Sequence, residues 1–438
     1  MTDPDFGAML AALTGGISPA ALSMYHQGAM MLNRIWTFFF LGGFAAAVFQ
    51  ALSGHPEVWA DMVGATFEMA ETAFRIALGL TGVMCLWLGV MRIGELGGAV
   101  DLLARIFGPL LRRLFPGIPA DHPATGSIVM NMAANMLGLD NAATPLGLKA
   151  MRELQDLNPH KDTASDEMIL FLVINTSAVT IVPVTIFTFR AQLGAVDPTD
   201  IFLPILIATF FSTLVGLLTT AAFQRLRLAD PVILAYLGGM TALVAGLVGY
   251  FSSLPREAME AQSTMLANFL IFAVIVAFMA GGIRRRINLY DAFIEGAKDG
   301  FKVAVGIIPY LVAMLVAIGV FRASGALDLL LDGGRQLAAG AGLDARFIDG
   351  LPTALMKPLS GSGARGMMIE TMQAHGADSF AGRLSSVIQG STETTFYVLA
   401  VYFGAVGIRK TRHAVICGLS ADLAGVVAAI LVSYLFFG

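Results

Sequence analysis

Residues Pro123–Lys149 read PATGSIVMNMAANMLGLDNAATPLGLK. The stretch is apolar enough to enter a bilayer, yet it carries Asn131, Asn135, Asp140, Asn141 and Thr144. Gly138 sits beside the polar cluster and Pro145 ends it, so no straight helix is expected through the middle. Polar, broken backbone at membrane depth is tolerated where protein or a wet cavity surrounds it. The same design returns in PTALMKPLSGSGARG at Pro352–Gly366. Both stretches read as re-entrant hairpins facing one solute site, with the rest of the chain as their frame.

Outward from these hairpins the chain is membrane-like. Of its 438 residues 56% are hydrophobic and 13% charged, and its mean hydropathy is +0.75. Those values place it among polytopic membrane proteins. Apolar runs at 33–53, 73–92, 166–189, 201–222, 231–252, 264–283, 302–321, 383–404 and 413–437 predict about nine transmembrane helices. Glu95–Phe115 alternates charges with aliphatics at helical spacing and is expected to lie along the interface, with Gly325–Leu343 as its weaker counterpart. The start MTDPDFG is acidic where a signal peptide is basic, so residues 1–29 read as an extension without a span. Cys85 and Cys417 lie in apolar runs and indicate no disulfide framework.

Charge sets the expected topology. With a cytoplasmic N-terminus and two hairpins that return to the side they left, Arg112, Arg113, Arg225, Arg227 and Arg284–Arg286 all fall inside. Arg190, Arg256, Arg335 and Arg346 fall outside, so the fit is good but not clean. There is also an internal repeat. EMAETAFRIALG at 68–79 runs in register with EGAKDGFKVAVG at 295–306, and Gly98-Ala-Val-Asp-Leu-Leu with Gly325-Ala-Leu-Asp-Leu-Leu. Asn135–Gly138 then faces Ser360–Gly363, and 174–180 faces 388–394. Five spans separate the two starts, so the repeats are expected to be inverted. That is the architecture of a secondary transporter with its site near the bilayer midplane.

The polar residues suggest what the site binds. In the first hairpin, Asn131, Asn135, Asp140, Asn141 and Thr144 offer oxygens for a hard cation or hydrogen bonds for a solute; the blander reading is that they satisfy hairpin ends. In the second, Lys357, Ser360, Ser362 and Arg365 around Gly361 and Gly363 suit an anionic group, or else a loop whose charges reach the surface. Asn175 and Ser177 begin one polar helix segment, and Gln389, Ser391, Glu393 and Thr394 its repeat mate; such groups also glue ordinary helices together. Glu393 stands apart because its repeat counterpart is Val179. The six histidines show no metal-ligand spacing, and no catalytic constellation is evident.

HPATGSIVMNMAANMLGLDNAATPLGLKAM at 122–151 closely resembles spore maturation protein A. MKPLSGSGARGMM at 356–368 and QGSTETTFYVLAVYFGAVGIRKTRHA at 389–414 resemble spore maturation protein B. The chain thus looks like a fusion: an extension at 1–29, an A-like gate repeat at 30–230, linking helices at 231–290 and a B-like gate repeat at 291–438. The resemblance implies a nucleoside recognition, or gate, fold without implying a nucleoside substrate.

The expectation is therefore an all-α polytopic protein of the cytoplasmic (inner) membrane, with two inverted repeats, about nine transmembrane helices and two re-entrant hairpins. It is expected to move a small polar or anionic solute, coupled to sodium or protons, with no other cofactor and no enzymatic activity. Its partners are the lipid bilayer and the solute; self-association is compatible with the pattern, and nothing points to nucleic acid. The alternative is a membrane structural or assembly factor without transport turnover.

Overall fold

The computed structural model describes residues 19–119, 121–137, 140–177 and 183–438. Every named element among them is helical. Helix α1, Pro19–Leu52, lies against a later long helix, with Trp36 Nε1 donating to the Ala313 carbonyl at 3.0 Å and Gln50 to that of Ser324 at 3.1 Å. Helix α1 runs through the boundary expected at residues 29 and 30.

Two units with one order of elements follow. In the first, the long helix α2 (Val58–Gly97) stops at Gly98, whose φ of +91° only glycine adopts without strain. The amphipathic α3 (Ala99–Leu114) comes next, then the helical pair α4 (Pro123–Met136) and α5 (Asp140–Leu157). An interrupted helix, α6 (Asp166–Ser177) and α7 (Val184–Gln192), leads to α8 (Phe202–Gln224). Helices α9 (Pro231–Ser252) and α10 (Arg256–Arg284) link the units. In the second unit α11 (Leu289–Ala323) ends before Gly325 at φ +72°, the position matched to Gly98. Amphipathic α12 (Ala326–Gly340) follows, then a 3-10 turn over Ala345–Gly350 and the pair α13 (Leu351–Met356) and α14 (Gly361–His375). The interrupted helix α15 (Phe380–Ser391) and α16 (Thr395–Ala405) leads to α17 (Ala414–Phe437).

Among the described residues seven helices are long and apolar enough to cross a membrane: α1, α2, α8, α9, α10, α11 and α17. The apolar runs at 166–189 and 383–404, expected as continuous spans, each contain non-helical residues among those described, and 178–182 lie outside the described residues. Pro183 is non-helical at φ −79°, ψ 63°, and its ring leaves no N–H for a helical bond. In the second unit Thr392 is extended at φ −148°, ψ 172° and the helix resumes only at Thr395. Within Pro352–Gly366 the chain breaks ahead of Gly361 and Gly363. The break is Lys357–Ser360, containing Pro358, while Gly361–Gly366 forms the opening of α14. Ser360 there is an N-cap, its Oγ accepting from Gly363 N at 3.0 Å.

The two long helices α2 and α11 cross through glycine. A Cβ on Gly319 would meet Met69, one on Gly300 would lie 2.5 Å from the Met84 carbonyl oxygen, and one on Gly296 2.3 Å from that of Leu88. These pairs run in opposite order along the two helices, so α2 and α11 are antiparallel. Backbones approach this closely only where side chains are absent.

Two clamps tie the units together. Arg190, fully buried at the end of α7, donates to the Ala377 carbonyl at 2.7 Å and pairs with Asp200 at 2.9 Å and Asp378 at 3.1 Å. Arg383 reaches the other Asp200 oxygen at 2.7 Å. At the second clamp Lys410 N donates to the Asp162 carbonyl at 3.0 Å and Ala164 N to that of Lys410 at 3.0 Å. Lys410–Asp162 and Arg412–Asp166 ion pairs flank it. The end of each interrupted helix therefore docks beside the start of the other, and the two run antiparallel. Arg190, Arg335 and Arg346, three of the arginines on the outer side of the expected topology, are each held by carboxylates, Arg335 by Asp332 and Asp349 and Arg346 by Asp344.

Candidate functional site

Where a helix is interrupted inside a protein, its freed backbone groups must find new partners. The two interruptions supply some for each other: Glu393 N donates to the Thr176 carbonyl at 2.7 Å. The second helical pair joins in, with Phe396 N donating to the Pro358 carbonyl at 3.0 Å. A Cβ on Gly361 would lie 2.9 Å from Thr394 Oγ1.

Around this junction is a cavity of about 410 Å³. The first unit contributes Asn135, Thr144 and Asn175; the second contributes Lys357, Arg365, Gln389 and Glu393. One wall thus brings amides and a hydroxyl, the other two cations, an amide and a carboxylate. Val184 and Phe189 give it an apolar edge, and the Arg365 guanidinium lies 5.8 Å from the centre of the Phe189 ring. Glu393 is exposed into this space, within the interruption and outside any helix.

A chain of side-chain amides fixes the first wall. Asn131 Nδ2 donates to the Ala143 carbonyl at 2.7 Å, tying α4 to α5. Asn135 Nδ2 donates to Asn131 Oδ1 at 3.3 Å and to Asn175 Oδ1 at 2.8 Å. Asn175 Nδ2 donates to the Phe171 carbonyl, and the Tyr402 hydroxyl, 3.4 Å away, completes the chain from the second unit. Gln389, the repeat mate of Asn175, leaves its buried Oε1 without a hydrogen-bond partner. That oxygen is an acceptor ready for a donor entering the cavity.

The remaining predicted residues have other surroundings. The side chains of Asp140 and Asn141 lie outside the described residues. Asn131 is buried behind the cavity. Ser177 and Ser391 are repeat mates in conformation as well as position, each bonding the carbonyl three residues back, Ile174 and Ile388. Ser362 bonds Ser360 at 3.2 Å, and Thr394 is buried at the start of α16. Sequence reasoning missed Thr185, Tyr397 and Tyr402 on the lining. It also missed Asp422, buried in α17, whose Oδ2 accepts from Thr395 Oγ1 at 2.7 Å. The signal for Asp422 was present, since a lone carboxylate in an apolar span is unusual.

Comparison with known proteins gives three similarities. The family described as "Gate: Nucleoside recognition" matches residues 77–193. Spore maturation protein B of Bacillus subtilis (strain 168) is 49% identical over 177 residues, 40% of this chain and 98% of that protein. Spore maturation protein A of the same organism is 40% identical over 197 residues, 45% of this chain and 97% of that protein. Each relative is matched almost end to end by less than half of the chain.

Proposed function

Because the chain belongs to the family of spore maturation proteins A and B, with a counterpart of each in one polypeptide, we propose that it is an ion-coupled transporter of a small polar or anionic solute. The observation that carries the reading is the composite cavity at the two helix interruptions, with Lys357, Arg365 and Glu393 on one wall and the Asn135–Asn175 amides on the other. Two antiparallel units, each with an interrupted helix and a helical pair, suit inverted repeats with re-entrant hairpins. In that arrangement each hairpin opens to one side, and the cavity is reached alternately. Lys357 and Arg365 attract an anionic group, the amides and Gln389 hydrogen-bond its polar atoms, and Glu393 answers to the coupling ion. A carboxylate at membrane depth costs about 2.5–3.5 kcal/mol on insertion scales, which argues for a role beyond filling space. The protein sits in the cytoplasmic membrane with its N-terminus inside.

The experiment is ligand-dependent thermal stabilisation of the purified chain, followed by uptake in proteoliposomes. Uridine, glutamate and inorganic phosphate probe three solute classes. A probe bound at a hundred times its Kd stabilises the fold by about 2.7 kcal/mol. One class should raise the melting temperature saturably in the parent and fail to do so in Lys357→Met. Glu393→Gln should fold normally and lose driven uptake. If no probe stabilises the parent, or both variants behave like it, the protein is a membrane assembly factor without turnover.

A further inference from the structure

Helix α17 passes the interruption between α15 and α16 with Gly418, Asp422 and Gly425 on one face. At Gly425 the approach is so close that a Cβ would lie 2.6 Å from Thr392 Cγ2, 3.2 Å from Ser212 Cβ and 3.3 Å from the Ser391 carbonyl oxygen. At Gly418 it would lie 2.7 Å from Thr395 Cγ2. Four oxygen-bearing residues, Ser212 of α8, Ser391 of α15, Thr392 of the interruption and Thr395 of α16, thus crowd against the turns on either side of Asp422.

These oxygens are short of donors. Asp422, 2% exposed, has one carboxylate oxygen bonded to Thr395 Oγ1, while Oδ1 has no hydrogen-bond partner. The hydroxyls of Thr392, 3% exposed, and Ser212, fully buried, have none either. The Thr392 hydroxyl interacts with the Asp422 carboxylate, yet it meets no partner at full hydrogen-bonding geometry. Helix α15 ends at Ser391, so its last carbonyls lack the donors of a further turn. Buried polar atoms left unmet cost about 1–3 kcal/mol each, and native proteins hold few of them. Three within one turn of a buried carboxylate ask for one shared partner that is positive and accepts bonds from several directions.

We infer that Asp422, Thr392, Ser212 and the Ser391 carbonyl bind a sodium ion at this interruption. An all-oxygen donor set suits a hard cation. One carboxylate matches a single positive charge, and among the described residues no group of three or more acidic, histidine or cysteine side chains offers a divalent site. The C-terminal end of α15 adds the negative end of a helix dipole, and half-helix ends with unwound carbonyls are where transporters hold sodium. Lys357 and Glu393 act on Asp422 electrostatically from the cavity, so the ion and the cavity charges share one field. The ion's role as coupling ion rests on the transport reading; its binding does not.

The test is thermal unfolding of the purified full chain without solute, across a sodium chloride titration held at constant ionic strength with choline chloride, at two pH values. Sodium should raise the melting temperature saturably, and potassium should not. Asp422→Asn and Ser212→Ala should each weaken the sodium midpoint by about tenfold or more. Ser420→Ala, on an exposed hydroxyl of the same helix, should leave it unchanged. Thr392→Val carries the test with Ser212→Ala if Asp422→Asn does not fold. Stabilisation equal in choline or potassium, or retained in the variants, overturns the site. A rise that follows pH and ignores sodium also overturns it and assigns Asp422 a proton instead. Sodium binding without any solute effect would sink the transport reading alone.

Discussion

Arg190→Met removes the guanidinium at the centre of one clamp between the two units. The side chain is fully buried and loses its bonds to the Ala377 carbonyl, Asp200 and Asp378. Charge-assisted hydrogen bonds contribute about 1.5–3 kcal/mol each, but these share one group and do not simply add. Asp200, also buried, keeps only Arg383 at 2.7 Å, and the Ala377 carbonyl loses a donor. Removing one member of a buried ion pair costs about 3–5 kcal/mol. We expect a loss in that range, about a fifth or more of the stability of about 5–15 kcal/mol typical of folded proteins. Unfolding by sodium dodecyl sulfate in mixed micelles, read from Trp36, Trp59 and Trp87, measures it. Arg190→Lys should recover less than half, because an ammonium cannot span two carboxylates and a carbonyl as the planar fork does. Arg383→Met, partly exposed, should cost less. An Arg190→Met protein within about 1 kcal/mol of the parent, the size of a surface pair, would refute the reasoning.

Three further outcomes can be measured. Gly296→Ala, whose Cβ would lie 2.3 Å from the Leu88 carbonyl oxygen, should destabilise by about 1–3 kcal/mol, whereas Gly306→Ala, with open space around it, should be neutral in the same unfolding assay. With Cys85 and Cys417 replaced, single cysteines at Pro116 and Asp156 should label from one side of intact cells, and those at Leu343 and His375 from the other. Asp162 is held below the usual carboxylate range by the Thr163 hydroxyl and then the Lys410 ammonium. A lowered folded pKa adds stability above the ordinary value of about 3.9, and that stability fades as pH falls through the lowered one. Lys410→Met should therefore melt below the parent near neutral pH and approach it as pH falls through the lowered Asp162 pKa; a gap that ignores pH would count against the clamp.

Much of this was legible because polar residues in an apolar chain are conspicuous. The order of elements and the register of Gly98 with Gly325 followed from pattern alone, and Lys357 and Glu393 do line one cavity. The helix interruptions were hidden. A hydropathy window of span length averages over the few residues at Thr392–Thr394, and Thr-Glu-Thr carries neither glycine nor proline. Counting arginines treats each as exposed, so Arg190 read as a misplaced surface charge when it is buried between carboxylates. The hydroxyls were legible as residues and not as directions. Ser177 and Ser391 turn back on their own helices, while Thr392 and Ser212 do not. That choice depends on which neighbour arrives, and α17 arrives from the far end of the chain.

Helices α9 and α10 carry exposed side chains such as Leu234, Leu243, Phe269 and Phe272 along their length, yet their number has a strict consequence. In the proposed topology each unit crosses the membrane three times and so finishes on the side opposite its start. The second unit then begins upside down only if the connection crosses an even number of times. Parity, and not packing, is what the pair supplies: any even replacement preserves it, including a loop with no crossing. One helix more or fewer would set both interrupted helices running the same way, and the Glu393 N–H would no longer meet the Thr176 carbonyl.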